Sequence, residues 1–177
     1  MNKLKIRSSI ITFAFISSIF SQNLYVNNIE INGLITVTEK QIYRNSGLYP
    51  SEEFIDINYN NKFDEGESFI DKNGNGFYDK GTYLSRGDEI NIAINNLWSY
   101  GVFSDVQIFI SESTNDNVSL VINLEEMPIV NEIKFKGNRK IKNRMLLDLV
   151  LLEKDKRVSN NDLSVSIEKI KEEYLKK

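Results

Sequence analysis

The sequence predicts an α+β fold of repeated β-α-α-β-β modules, and three observations predict it. The first is an internal repeat: Val26-Asn-Asn-Ile-Glu-Ile-Asn-Gly33 matches Val130-Asn-Glu-Ile-Lys-Phe-Lys-Gly137. The register persists beyond the glycine, pairing Val37 with Ile141, Ile42 with Leu146 and Leu48 with Leu152. Similarity that survives a strand, a turn and a helix reports a modular array. The second is alternation of apolar and polar residues at Ile29 and Ile31, at Val106, Ile108 and Ile110, and at Val118, Leu120, Ile122 and Leu124. A period of two places one face of a strand on a core. The third is helical spacing of Ile90, Ile94, Leu97 and Trp98, which marks a buried stripe.

The elements follow in chain order. Lys3, Lys5 and Arg7 precede an apolar run, Ile10 to Phe20, broken only by Thr12, Ser17 and Ser18. Such a run is short for a membrane span, which needs about 20 residues, and suits an export signal. An uncleaved anchor or a buried helix is the alternative. Residues 1–21 are assigned as a signal peptide cut after Ser21, although Ile19 at the −3 position is larger than the cleavage rule prefers. The first module, residues 23–127, opens with the strand around Ile29. Gly33 ends it, and Thr38 caps a helix from Glu39. A second helix is expected from Gly87 to Tyr100, closed by Gly101. Two strands joined at Asn115-Asp116-Asn117 complete the module. Pro128, without a backbone donor, marks the boundary. Residues 128–177 give a strand at Val130–Lys136, a helix at about Lys142–Leu152 and another at about Asn161–Lys176 carrying Leu163, Ile167, Ile170 and Tyr174. The two closing strands are not there, so the second module is expected to be truncated and the chain to be part of a longer protein.

Composition narrows the function. A net charge of −3 offers no broad basic surface, so nucleic acid is not expected as a partner. The chain has neither Cys nor His. Thiolate and imidazole chemistry is absent, no nucleophile or phosphate-loop motif appears, and the chain is not expected to be an enzyme. A hydrolase working through two carboxylates is the residual enzymatic reading. Any metal site must be built from oxygen, which points to calcium or magnesium.

Several motifs occur together in order: Ile29-Glu-Ile-Asn-Gly-Leu34, Asn96-Leu-Trp-Ser-Tyr-Gly-Val-Phe-Ser-Asp-Val106, Leu124-Glu-Glu-Met-Pro-Ile-Val130, and Ile133-Lys-Phe-Lys-Gly-Asn138. This pattern resembles the POTRA domain, and within it the first POTRA module and the start of the second in BamA-type outer-membrane protein assembly factors. Each motif residue has a packing or turn role: Gly33 and Gly137 release strands, while Trp98, Phe103 and Val106 are expected in the core. The resemblance implies periplasmic modules, at the inner face of the outer membrane, that stand before a membrane β-barrel. They would receive unfolded outer-membrane proteins and dock accessory lipoproteins. The means would be β-augmentation along an edge strand. In the POTRA sheet that edge corresponds here to Phe103, Ser104, Asp105, Val106, Gln107, Ile108, Phe109 and Ile110. A secretion or translocation transporter of the same superfamily is the alternative, as is a calcium-dependent structural or adhesive exported protein.

Ser51–Leu84 departs from the family pattern. It holds eight Asp or Glu against three Lys, a charge of −5, so the rest of the chain is +2. Asp-x-Asn-x-Asn occurs twice, and this is the opening of a calcium loop, in which odd positions converge on one point. The first loop would ligate through Asp56, Asn58, Asn60, the Lys62 carbonyl, Asp64 and Glu67. The second would use Asp71, Asn73, Asn75, the Phe77 carbonyl and Asp79. Each loop departs once from the EF-hand pattern: Asn61 stands for the turn glycine, and Thr82 for the final glutamate. Helices of EF-hand length do not flank the segment, which looks more like dockerin or thrombospondin-type calcium repeats. An ordinary acidic surface loop uses the same residue types.

Overall fold

The computed structural model describes residues 24–85, 88–114 and 116–176. The expected signal peptide lies outside the described residues. The elements are β1 (Leu24–Asn32), α1 (Glu39–Ser46), β2 (Tyr83–Leu84), α2 (Asp88–Ser99), β3 (Phe103–Ser113), β4 (Asn117–Glu126), α3 (Asn143–Leu147) and α4 (Asn160–Leu175). The sheet has the order β2-β1-β4-β3. β1 and β4 run parallel, with Ile29 opposite Leu120 and Ile31 opposite Ile122. The outer pairs, β1–β2 and β3–β4, are antiparallel.

Local chemistry explains these boundaries. Thr38 and Gln41 form a reciprocal capping box at the start of α1, and Gly47 closes it at φ 76°, a left-handed conformation that glycine adopts without penalty. In β4 burial alternates without a break: Val118, Leu120, Ile122 and Leu124 are buried, and Ser119, Val121 and Asn123 between them are only half-buried. These four pack with Val26 and Ile29 of β1, Ile42 and Tyr43 of α1, Ala93 and Leu97 of α2, and Phe103 and Val106 of β3. One apolar core therefore joins the sheet to both helices.

The structure corrects several expectations. β2 adds an element to the β-α-α-β-β order: the last residues of the 51–84 insertion pair with β1, and Leu84 is buried in the core. Trp98 is 45% exposed. The inner side of α2 is set by Ala93 and Leu97, one turn apart, and Trp98 stands a further 100° around the helix. Ile110 is exposed because β3 runs past the region the helices cover. Val130–Lys136 forms no strand. Residues 128–130 instead meet residues 155–158, through Val130 N–H to the Lys156 carbonyl at 2.9 Å, Asp155 N–H to the Val130 carbonyl at 2.7 Å and Val158 N–H to the Pro128 carbonyl at 3.0 Å. The helix expected over 142–152 contracts to α3, where Leu146 is buried. α4 forms as expected, capped by Ser159 and Asp162, but Leu163 and Ile167 of its apolar stripe stay exposed. Among the described residues no strand of this half exists to cover them.

Candidate functional sites: an open sheet edge and a duplicated acidic loop

β3 closes one side of the sheet order, so among the described residues one of its long sides carries no partner strand. Two bulges shape it. The register skips Ser104 and Ser111, and each serine hydroxyl donates to a carbonyl of β4, those of Glu125 and Ser119, at 3.2 Å. Val106 gives its backbone N–H to the Asp105 carboxylate at 3.0 Å. Its N–H therefore points away from β4, and by the two-residue period so do those of Ile108 and Ile110. By the same alternation, Asp105, Gln107 and Phe109, opposite Glu125, Asn123 and Val121, turn their backbone groups towards β4. Phe103 and Val106 send their side chains into the core, while Gln107, Phe109 and Ile110 are exposed.

In the insertion, a shift of fifteen positions superimposes Asp56 on Asp71 and Asp64 on Asp79. The structure carries this repeat as two paired loops. Phe54 and Phe69 form an antiparallel bridge, flanked by Ile55 N–H to the Ser68 carbonyl at 2.8 Å and Ile70 N–H to the Glu53 carbonyl at 2.9 Å. Phe63 and Tyr78, also fifteen apart, stack at 4.2 Å between centroids. Phe54 and Phe69 meet both of them edge-on. Four aromatic rings thus give the insertion a small core of its own.

The sequence-proposed ligands converge, but through hydrogen bonds. Asp56 accepts the N–H groups of Asn60 and Asn61 at 3.2 and 2.7 Å. Asp71 accepts those of Asn75 and Gly76 at 3.2 and 2.9 Å, and that of Gly74. Asn58 and Asn60 both donate side-chain N–H to Asp64, at 2.7 and 2.6 Å. Asn73 and Asn75 do the same to Asp79, at 2.6 and 2.8 Å. The Asn58 and Asn60 bonds hold the Asp64 carboxyl below its ordinary range. At Asp71 desolvation pushes upward, but the N–H groups of Gly76, Gly74 and Asn75 outweigh it and leave the carboxyl low. The Lys62 and Phe77 amides donate to the Asn60 and Asn75 side chains. Among the described residues no group of three or more acidic side chains is gathered to hold an ion. In chemistry the donor sets suit a hard cation. In geometry the paired asparagines present nitrogen to the central carboxylate, and an ion would require those amides to turn over.

Glu52, absent from the sequence reading, is the residue that relates the two loops. In the first, Glu67 accepts Ile57 N–H at 2.8 Å and Asp64 N–H at 3.0 Å. In the second, Glu52 accepts Lys72 N–H at 2.8 Å and Asp79 N–H at 3.1 Å. These are equivalent positions fifteen residues on. Glu52 supplies from upstream the carboxylate that Thr82 cannot, and it is buried. The fifteen-residue period, extended one step backwards from Glu67, was the signal that could have found it.

Residues 128–177 match the family model described as POTRA, surface antigen variable number repeat. Comparison with curated protein sequences gave no match. Among solved structures, the chain is similar to the N-terminal domain of Omp85 from the thermophilic cyanobacterium Thermosynechococcus elongatus, with 14% identity and a TM-score of 0.45. That match covers 87% of this chain and 52% of that one, so the chain spans about half of its length. It is similar also to POTRA1-2 of the periplasmic domain of Omp85 from Anabaena, with 14% identity, a TM-score of 0.43 and coverage of 88% and 80%. The fold class is mixed α+β, as the sequence leads one to expect: a four-stranded sheet with helices packed on it. Among the described residues no helix is long and apolar enough to cross a membrane.

Proposed function

We propose that this chain is the periplasmic POTRA region of an outer-membrane β-barrel assembly factor of BamA type, receiving unfolded outer-membrane chains along β3. One observation carries the reading: among the described residues β3 is an open edge whose outward backbone groups at Ile108 and Ile110 lie beside exposed apolar side chains at Phe109 and Ile110. Backbone pairing demands little of a client's sequence, while alternate side chains add apolar contact. Accessory lipoproteins and a barrel of the parent protein are the partners this role implies. A secretion or translocation transporter would use the same edge for its cargo.

The test is a pair of prolines. At Ile110 a proline removes an outward donor from an edge, where proline is tolerated. At Gln107 it removes a donor to β4 and breaks the sheet itself. Ile110→Pro should fold and lose capture of unfolded outer-membrane peptides, whereas Ile110→Thr, which keeps the N–H, should retain it. Equal capture by wild type and a folded Ile110→Pro would overturn the reading.

A second reading concerns the insertion. We infer that it binds calcium, and the equivalence of Glu52 and Glu67 favours this: each loop then has a carboxylate at the place where the EF-hand uses its bidentate ligand. The first loop would use Asp56, Asn58, Asn60, Lys62, Asp64 and Glu67. The second would use Asp71, Asn73, Asn75, Phe77 and Asp79, completed by Glu52. Calcium should give heat in titration calorimetry and protect residues 51–84 from protease. Asp56→Ala with Glu67→Ala should remove most of the first-loop signal. Magnesium should act poorly, since it dehydrates reluctantly and demands stricter geometry. No heat and an unchanged cleavage pattern at roughly millimolar calcium would leave the insertion a self-satisfied acidic loop.

A further inference from the structure

Glu126 continues the inward-facing register of β4, two residues beyond Leu124, and its side chain is only 2% exposed. A carboxylate at a core position needs partners. The turn after β1 supplies them: the N–H groups of Ile35, Thr36 and Val37 donate at 2.7, 2.8 and 3.0 Å, and the Thr36 hydroxyl donates as well. This socket belongs wholly to the first module. Into it comes one residue of the following half. Arg157 donates through Nη2 to Glu126 at 3.2 Å and to Thr36 Oγ1 at 2.7 Å, and through Nη1 to the Met127 carbonyl at 2.8 Å.

Arg157 is itself held in place. Its backbone bridges Ile129, next to Pro128, and Asp155 adopts φ 64° to make the turn before it. Aspartate is among the few non-glycine residues that take this conformation readily, as a single residue in a turn. Two residues on, Ser159 caps α4. A cleft lies beside this junction, lined by Trp98, Phe103 and Met127 on one side and Ser159, Asn160 and Asn161 on the other. Trp98 is the single tryptophan of the chain.

We propose that Glu126 and Arg157 form a latch between the two halves of the chain, setting the angle of α4 to the sheet and the width of the cleft at Trp98. The guanidinium is the plug, and the turn 35–37 with Glu126 is the socket. Arginine suits the task because its planar fork reaches Met127 through one nitrogen and Thr36 and Glu126 through the other; lysine holds its three donors on a single atom and does not span them. The latch stands on this geometry alone and depends on neither reading of function.

The test uses the full chain. It has no cysteine, so cysteines placed at exposed Gln107 and Lys171 carry two spin labels without competition. Wild type should give a narrow distance distribution, and the quenching rate of its half-exposed Trp98 sets the reference. Arg157→Met, which keeps the stem and loses the fork, should lose the narrow distribution and speed quenching, with the first module's circular dichroism and melt retained. Arg157→Lys should restore neither fully. If Arg157→Met fails to fold, Thr36→Val, which removes one acceptor of Arg157 and one donor to Glu126, carries the same comparison. Unchanged distances and quenching in the folded variants would overturn the latch.

Discussion

Two equivalent glycines stand in opposite circumstances. Gly33 has φ 87°, and a Cβ there would lie 1.8 Å from the Leu124 carbonyl oxygen. Gly137 has φ 80°, but a Cβ there would meet nothing within 4 Å. Gly33→Ala therefore combines backbone strain with a collision that only separation of β1 from β4 relieves. It should cost about 3 kcal/mol or more, whereas Gly137→Ala should cost only the left-handed penalty of about 1–2 kcal/mol. Urea denaturation of both variants measures this; equal costs would contradict it. Glu126 makes a second prediction. Burial raises its pKa, but the Thr36 hydroxyl and the N–H groups of Ile35, Thr36 and Val37 outweigh burial and lower it from 4.5 to about 2. A carboxyl lower in the folded state stabilises the fold above its unfolded value and loses that contribution as pH falls to the folded one. Stability should thus decline from about pH 4.5 towards pH 2, and Glu126→Gln should flatten that part of the curve while lowering stability at neutral pH. The sequence showed Gly33 as a strand end and Glu126 as part of a boundary motif. Neither contact could be read from it, because the Leu124 oxygen and the 35–37 turn lie about ninety residues away in the chain.

Elements were legible where local signals and tertiary packing agree. α1 has its capping box in the sequence, and β4 has apolar residues at every second position from Val118 to Leu124, so both formed where expected. Legibility failed where a partner decides. The repeat shows Val130–Lys136 as the counterpart of β1, yet β1 is a strand because it lies between β2 and β4. Without a neighbour, apolar alternation alone does not make a ladder, since the backbone groups have nothing to pair with. β2 was missed for the opposite reason: its two residues carry no periodicity and are strand only through Leu24 and Tyr25. Hydrogen exchange should separate these cases. Amides of residues 131–136 should exchange at rates near those of an open chain, while those of Val118–Leu124 should open only with global unfolding. Comparable protection in the two segments would show that residues 131–136 form a ladder after all.

At the scale of the whole molecule, the insertion is two loops of one design with different attachments to the first module. The first loop extends from the module: Asn58, Asn60 and Asp64 are exposed. The second is built into it. Arg44, at the end of α1, donates to the Asn73 and Gly74 carbonyls at 3.1 and 2.8 Å. Ser51 N–H bonds to the Val26 carbonyl at 3.0 Å, and Glu52 N–H to that of Asp79 at 2.9 Å. Gly81 allows the same contact with β1, since a Cβ there would stand 2.1 Å from the Val26 oxygen. The acidic segment was visible in the sequence through its doubled spacing, but nothing in that spacing distinguished an outer loop from an inner one. The difference becomes measurable through the two matched carboxylates. Glu67→Gln removes charge-assisted bonds from a half-exposed site at the outer loop, so the main thermal transition should stay within about 0.5 kcal/mol of wild type. Glu52→Gln weakens two bonds from a buried carboxylate to Lys72 and Asp79 of the second loop, beside Ser51, whose N–H bonds β1, and should lower stability by about 1–3 kcal/mol. Without added ions, the melting shift of Glu52→Gln should exceed that of Glu67→Gln, and protease should cut the 71–79 loop earlier only in the former. Equal melting shifts would mean that the second loop, like the first, is merely appended to the sheet.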